Sequence, residues 1–380
     1  MDLNDFLDDF PGVSIFNKAR DEAEALKIFE AAPMKLPGLD LIYDRSPEFS
    51  SLLRAQGPSH QTFVARHRGK MIGFASLSWG PRYVNGKIRT VSYIGDLRIL
   101  PVREASLLIR KFYPALLDYA RKYWGVDYHL TSILSDNKLA LNSLVRETGM
   151  KKFKYQLLRE VKMVNVLGKK PFKKVQAGLG KIERVPVTGA ESREILSFMD
   201  ALEQKKLFGF CLAESEWSRR LTTWPGLSTS TFLTYKTELG LRASCLPWAV
   251  TELKRLKVGQ MRPWLKTSLL IPRLFGFKLP ENGEALRIPY LTHLYFAEDC
   301  TPSEKAQILV SFIQEVKSLS WARSSTFISF EDPEEVHRAP EFSFYFTQVT
   351  RVGLYGVTRE DTSIDVKVDG SGLGFEMALA

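Results

Sequence analysis

The chain has 380 residues, of which 44% are hydrophobic and 25% charged. That is enough apolar material for a sizeable core and, at about 150 residues per domain, for two domains. The opening MDLNDFLDDF is acidic and lacks the basic end and apolar core of a secretory signal, and no apolar run approaches the roughly 18 residues of a membrane span. A cytoplasmic protein with no membrane span is expected.

The formal charge of +10 is local: Lys151 to Arg184 carries eleven Lys and Arg against two acids, Glu160 and Glu183. The bland reading is a solvated connector; the functional one is a patch for a nucleotide-bearing cofactor, an acidic substrate or RNA. Without interleaved stacking aromatics, nucleic acid is the weakest of these. Cys211, Cys245 and Cys300 are widely spaced and read as buried free thiols. The five histidines show no ligand spacing, so no metal is expected.

In chain order, VSIFNKA (Val13 to Ala19) reads as a strand, RDEAEALKIFEAAPM as a helix with early acids, and PEFSSLLRAQ as a helix with Pro47 in its first turn. A meander follows. QTFVARH turns at Arg68-Gly69 into KMIGFASLSWG, which turns at Asn85-Gly86 into IRTVSYIGDLRILP. After Pro101 the period changes to that of a long helix, REASLLIRKFYPALLDYARKYW, with Pro114 inside it and Gly125 as its C-terminal cap. VDYHLTSIL is a strand, NKLALNSLVRET a helix, and KKFKYQLLREVKMVNVL a further strand.

GKKPFKKVQAGLGK (Gly168 to Lys181) has the Gly, Pro and Lys content of a linker. The same grammar then repeats: strand KIERVPV, helix SREILSFMDALEQKK, strands STFLTYKT and LGLRASCLPWAV, an excursion MRPWLKTSLLIPRLFGFKLPENG, strand IPYLTHLYFAED, helix SEKAQILVSFIQEVKSL and strand STFISF. The expected class is α+β, a mixed sheet with helices on its faces, in two copies. The excursion, with Trp264, Phe275 and Phe277, is either a lid over the first copy's cleft or a packed segment.

The stretch LRILPVREASLLIRKF (Leu97 to Phe112) carries the chemistry. A strand that leaves its neighbour and feeds a helix N-terminus presents unpaired amides and the positive end of the helix dipole to a cleft, which suits a pyrophosphate. Ala105 and Ser106 are small enough for close approach, and Arg103 adds positive charge.

These features, with the element order and the later NKLALNSLVRETGM, resemble the GNAT N-acetyltransferase superfamily. In that family a strand ending in Pro enters an R-x-x-G-x-G/A loop and a helix, and a later N-x-x-A helix ends in Gly and an apolar residue. Pro101 and Arg103 match, with the loop one residue shorter, as do Asn137, Ala140, Gly149 and Met150. The sequence departs from the pattern at Ser106 and Leu108, which replace the glycines, at Glu104, an acid near the expected phosphates, and at Leu144 and Val145, where the family often has a tyrosine acid.

The resemblance implies two GNAT-like domains, 1–167 and 182–380, joined by a basic linker 168–181. It also implies an acyl-CoA-dependent N-acyltransferase that uses acetyl-CoA or another acyl-CoA. Its acceptor would be a small-molecule amine or a protein N-terminus or lysine. The main chain of Leu97, Ile99 and Leu100 would bind the pantetheine arm. The amides of Arg103, Glu104, Ala105, Ser106, Leu107 and Leu108 would face the phosphates, with Asn137 opening the later helix. Asp96, the one acid on the central strand before Pro101, is the candidate base, against the alternative of a salt-bridged strand residue. Tyr93 either lines the cleft or packs in the core, and Asp127 and His129 read as structural.

In the second copy the corresponding turn is FAEDCTPSEKA. Thr301 and Glu304 form a capping box with Pro302 at the first helical position, and Glu298 and Asp299 repel phosphate. This copy is expected to have lost the cofactor and to shape the cleft or a homodimer surface. Two other readings stay open, a non-catalytic binding protein on a worn transferase fold and a Fem-like aminoacyl-tRNA-dependent transferase.

Overall fold

The computed structural model describes residues 2–31, 33–36, 38–146, 153–170, 180–268, 280–359 and 372–380. The first half runs α1 (Leu3–Asp8), β1 (Val13–Ile15), α2 (Lys18–Ala31), β2 (Met34–Leu36), β3 (Leu39–Asp44), α3 (Ser51–Gln56), β4 (Ser59–His67), β5 (Lys70–Val84), β6 (Lys87–Ile99), α4 (Arg103–Tyr123), β7 (Tyr128–Leu134), α5 (Lys138–Ala140), which widens into a π-turn over Leu141–Val145, and β8 (Phe153–Lys169). The second half runs β9 (Lys181–Pro186), α6 (Ser192–Glu203), β10 (Gly209–Phe210), α7 (Glu214–Thr223), β11 (Thr231–Thr237), β12 (Gly240–Ala249), β13 (Arg255–Met261), α8 (Pro263–Ser268), β14 (Pro289–Phe296), α9 (Pro302–Ser318), β15 (Ile328–Glu331) and β16 (Tyr345–Arg359).

One mixed sheet gathers thirteen of the described strands in the order β1-β4-β5-β6-β7-β16-β8-β15-β14-β12-β11-β9, with β10 attached to β5. Outward from the central β16–β8 pair, the two arms repeat one strand sequence. Among the described strands each arm has its parallel pairing at the same place, β6 with β7 and β14 with β15. Both arms also carry a bulge on the corresponding strand, with Asp96 at φ 54° and His293 at φ 50°. Two non-glycine residues in the left-handed region at matching places mark a repeated architecture that sequence identity does not display. The fold is therefore α+β, with helices flanking a largely antiparallel mixed sheet.

The hairpins form where their turn residues dictate. Asn85 (φ 50°) and Gly86 (φ 70°) take the paired positive φ values of a type I′ turn, which matches strand twist and joins β5 to β6. On one face of this meander Phe63, Leu77 and Ile94 pack against Phe112, Leu116 and Ala120 of α4, which runs unbroken through Pro114. On the other face Val91 and Leu130 meet Leu207, Phe208 and Leu373 from the second half. At about 1.5–3 kcal/mol for each large side chain buried, this second cluster ties the halves as firmly as a core does. Leu52 and Ala55 of α3 also enter the second half's main cluster beside Trp217 and Trp224.

Several expectations are corrected. The helix expected from Pro47 begins at Ser51. The excursion is preceded by an unexpected strand, β13, which pairs with β3 of the first half, and itself contributes α8; Phe275 and Phe277 lie outside the described residues, as do Gly149 and Met150. The closing GFEMALA is a packed segment ending in a 3₁₀ turn over Met377–Leu379, while the strand that completes the sheet is β16, which alternation did not reveal. The basic stretch is only partly a connector: Arg159, Lys162 and Arg184 sit on sheet strands and pair with Glu331, Glu335 and Glu315. Ion pairs absorb part of the charge that would otherwise attract an anion.

Candidate active site at the split between two strands

β6 and β7 pair only over Val91–Tyr128, Ser92–His129 and Tyr93–Leu130, whereas β6 stays on β5 as far as Ile99. Beyond Tyr93 the β7-facing edge of β6 leaves the ladder, with Thr131 Oγ1 donating to the Ile94 carbonyl at 2.9 Å. The bulge at Asp96 lies inside this opened segment. Leu97, Ile99 and Leu100 line it, with Ile99 exposed and the Leu100 amide donating to Ile72 O at 2.9 Å.

The turn at Pro101 needs no glycine, because the Val102 amide donates back to Leu100 O at 2.7 Å across a tight three-residue turn. Helix α4 then begins with Val102 as an extended N-cap (φ −118°, ψ 146°) whose side chain makes no capping bond. Among the described residues no hydrogen bond reaches the amides of Arg103, Glu104 or Ala105 from outside the helix. A helix of this length concentrates positive potential at those amides. Arg103 and Glu104 are exposed, and Ala105 is buried against Ala65 and Ile72, so the small residue serves the packing of strand on helix. Ser106, Leu107 and Leu108 continue the first turn of the same helix. Asn137 is elsewhere and spends its side chain on the Ala140 amide, 3.1 Å away, as the cap of α5.

Asp96 is not solvated. Its Oδ1 accepts from Arg45 Nη1 at 2.8 Å; the Arg45 side chain is 0% and that of Asp96 10% exposed. Arg45 also donates to the Phe49 carbonyl and stacks on the Phe49 ring, 5.0 Å from its centroid. Burial is the largest influence and opposes the Arg45 charge, but Asp96 and Tyr43 together outweigh it and hold the guanidinium above its ordinary value. Asp96 Oδ2 is buried and has no hydrogen-bond partner among the described residues.

Tyr93 does line the split, with its hydroxyl 2.6 Å from Ser132 Oγ on β7, and burial raises its pKa. His129 is a packed residue bonded through Nδ1 to Ser92 Oγ at 2.7 Å; burial pushes it down to about 4. Asp127 accepts from the Thr90 amide at 3.0 Å and is structural.

Sequence reading missed two residues near this point. Arg45 gave no signal beyond following a short strand. Lys254 arrives from the second half, buried, donating to the Ala380 carbonyl oxygen, and is pushed down to about 7 by burial, with the Arg45 charge adding to it.

The second arm lacks the open helix end. Thr301 and Glu304 close a reciprocal capping box at α9, with Thr301 Oγ1 accepting from the Glu304 amide at 3.2 Å. The bulge residue there is His293, whose Nε2 meets Arg220 Nη1 at 2.8 Å. Of the two helices that follow the matching bulged strands β6 and β14, only α4 lacks a side-chain cap.

The fold that positions this helix end, strand split and bulged strand is found in solved structures. Two structures of Saccharomyces cerevisiae N-myristoyltransferase with bound myristoyl-CoA align over 96% of the chain. One has a TM-score of 0.57 at 8% identity over 84% of its own length, the other 0.54 at 9% over 89%. A probable N-acyltransferase from Enterococcus faecalis V583 aligns over 90% of the chain and 71% of its own, with TM-score 0.48 and 11% identity. No family model and no curated protein sequence matches the chain. The fold is that of acyl-CoA-dependent N-acyltransferases, and no described helix is long and apolar enough to cross a membrane.

Proposed function

We propose that the protein is an acyl-CoA-dependent N-acyltransferase whose single donor site is the β6–β7 split, with acetyl-CoA or another acyl-CoA as donor and a primary amine as acceptor. The observation that carries this reading is the difference between the two arms: the α4 amides are free, and the α9 amides are capped. The repeat is proposed to divide as 1–167 and 182–380 around the 168–181 connector.

In this reading the pyrophosphate rests on the first-turn amides Arg103 to Ala105 beside the Arg103 side chain, whereas the amides of Ser106, Leu107 and Leu108 serve the helix's own bonds. The pantetheine arm lies along the opened edge at Leu97 and Ile99, as a strand would, and ends at Leu100, whose main chain is already bonded to Ile72 and Val102. The acceptor nitrogen attacks the thioester carbonyl carbon, a main-chain amide of β6 steadies the oxyanion, and the C–S bond breaks to release the CoA thiolate. The amine proton passes to Asp96 Oδ2, directly or through a water, and then to the thiolate. Arg45 acts by positioning that carboxylate. Tyr93, held by Ser132, lines the approach.

The non-catalytic reading has one observation in its favour, the exposed Glu104 carboxylate on the first turn of α4. Titration calorimetry with acetyl-CoA and with myristoyl-CoA, followed by thiol release in the presence of amines, decides between them. Binding that weakens in Arg103→Glu supports the transferase; no heat from either donor at millimolar concentration refutes it.

A further inference from the structure

A second feature lies on the face of the sheet away from α4. Successive same-face residues of β5, Ser78, Gly80 and Arg82, line a cleft with Tyr93 of β6, closed on the opposite side by Phe210 and Cys211 from the second half. It encloses about 40 Å³, room for the three heavy atoms of a carboxylate at the 10–15 Å³ that each water-sized atom needs, and is otherwise open, so the rest of a longer ligand lies outside the enclosed part. Its inner end is Tyr93, the last β6 residue still paired with β7, so the cleft adjoins the strand split.

The polar groups here do not cancel. Glu216 is fully engaged: it takes a two-pronged bond from Arg219, at 2.7 Å on each oxygen, and another from Arg220 at 2.9 Å. Glu203 is occupied by Lys206 at 2.5 Å and by the Phe210 amide. Arg82 receives neither. Its guanidinium carbon stands 3.5 Å from the centroid of the Phe210 ring, with Arg220 4.6 Å from the same ring. Nη1 of Arg82 is buried and without a hydrogen-bond partner among the described residues. A buried donor left unpaired costs about 1–3 kcal/mol, more when charged, and calls for a ligand or a water. Burial, with Arg220 adding to it, pushes the guanidinium down to about 10, which leaves it charged at neutral pH.

We propose that Arg82 binds a carboxylate carried by the acceptor amine, so that the substrate is an amine with an anionic end at a fixed distance from the reacting nitrogen. The separation follows from the strand. Arg82 lies four residues along β5 from Ser78, the partner of Tyr93, a span of about 13 Å at about 3.3 Å per residue; the guanidinium–carboxylate contact covers about 3 Å of it, which leaves roughly 10 Å between the carboxylate and an amine beside Tyr93. That spacing rejects simple α-amino acids, whose two groups are too close, and suits an ω-amino acid or a chain of comparable length. The assignment of the ligand as acceptor rests on the transferase reading; the anion site itself does not.

The test is calorimetric titration of the full chain with 8-aminooctanoate and with 8-aminooctanamide, which differ only in the anionic end. The carboxylate is expected to bind at least tenfold tighter to the wild-type protein. Arg82→Gln brings the two ligands within twofold of each other, and Arg82→Lys retains the preference. No preference in the wild-type protein overturns the proposal without any variant having to fold, and a preference that survives in Arg82→Gln overturns it too. Acetyl-CoA titrated into the same samples separates the two ideas: failure of the donor to bind, with carboxylate discrimination intact, removes the transferase reading and leaves the Arg82 site standing.

Discussion

Replacing Val102 by Asp pits helix capping against cofactor binding. Val102 already has the extended backbone of an N-cap, is 37% exposed and makes no capping bond, so an Asp there reaches the amides of the first turn while sacrificing little apolar burial. A side-chain cap is worth about 0.5–2 kcal/mol, and the carboxylate gains roughly 0.3–1 kcal/mol more from the helix dipole. The variant should be more stable by about 1–2 kcal/mol in urea or guanidinium unfolding. In the proposed function the same carboxylate fills the space of the donor's phosphates and repels them. Acyl-CoA affinity should fall at least tenfold, equivalent to about 1.4 kcal/mol, in a calorimetric titration. Val102→Asn separates occupancy from charge, since it caps without repelling and should lower affinity less. A stabilised Val102→Asp protein that binds acyl-CoA as well as the parent would mean that the phosphates do not sit on α4.

The capped arm supplies the converse: Thr301→Ala should cost about 1 kcal/mol of stability and leave donor binding unchanged in the same titration. Arg45→Met strands the buried Asp96 carboxylate and should cost about 3–5 kcal/mol, and Arg45→Met with Asp96→Asn should recover much of that loss; additive losses in a double-mutant cycle would show that the pair is not coupled. His129 has a folded pKa of about 4, below its unfolded value near 6.5, so the unfolded chain takes up the proton first. Its contribution is therefore intact above pH 6.5 and lost as pH falls toward 4, at up to about 1.4 kcal/mol per pH unit. Urea midpoints between pH 7 and 4.5 should fall less steeply in His129→Gln than in the parent.

The meander β4–β6 and helix α4 were legible because their signals are local: two-residue alternation, the Asn85-Gly86 turn and the change of period after Pro101; the short elements α1, β2, β3, β10, α7 and β13 were not. The capping box at Thr301 was legible for the same reason, since all its parts lie within four residues. β16 was not, because its burial is set by β7 and β8 on either side, and in TQVTRVG the exposed Gln348 and Arg351 stand three residues apart, which breaks the two-residue alternation. Within the site, Asp96 and Tyr93 could be picked from their strand. Arg45 and Arg82 could not: their meaning depends on partners 51 residues away in one case and on Phe210 in the other. Asn137 was legible as the residue that opens the later helix, where its side chain caps the Ala140 amide.

The placement of β16 has a further consequence, for how the molecule comes into being. Val352 sits opposite Leu134, about 220 residues earlier in the chain, so during synthesis the β7 border of the first half stays unfinished while the second half is made. At roughly 5–20 residues per second, that interval lasts on the order of ten to forty seconds. Through it a row of open backbone groups invites mispairing with other nascent chains. Neither half can be released as a finished unit, and the arm holding the proposed donor site acquires its last neighbour only when the distant strand slides in beside it.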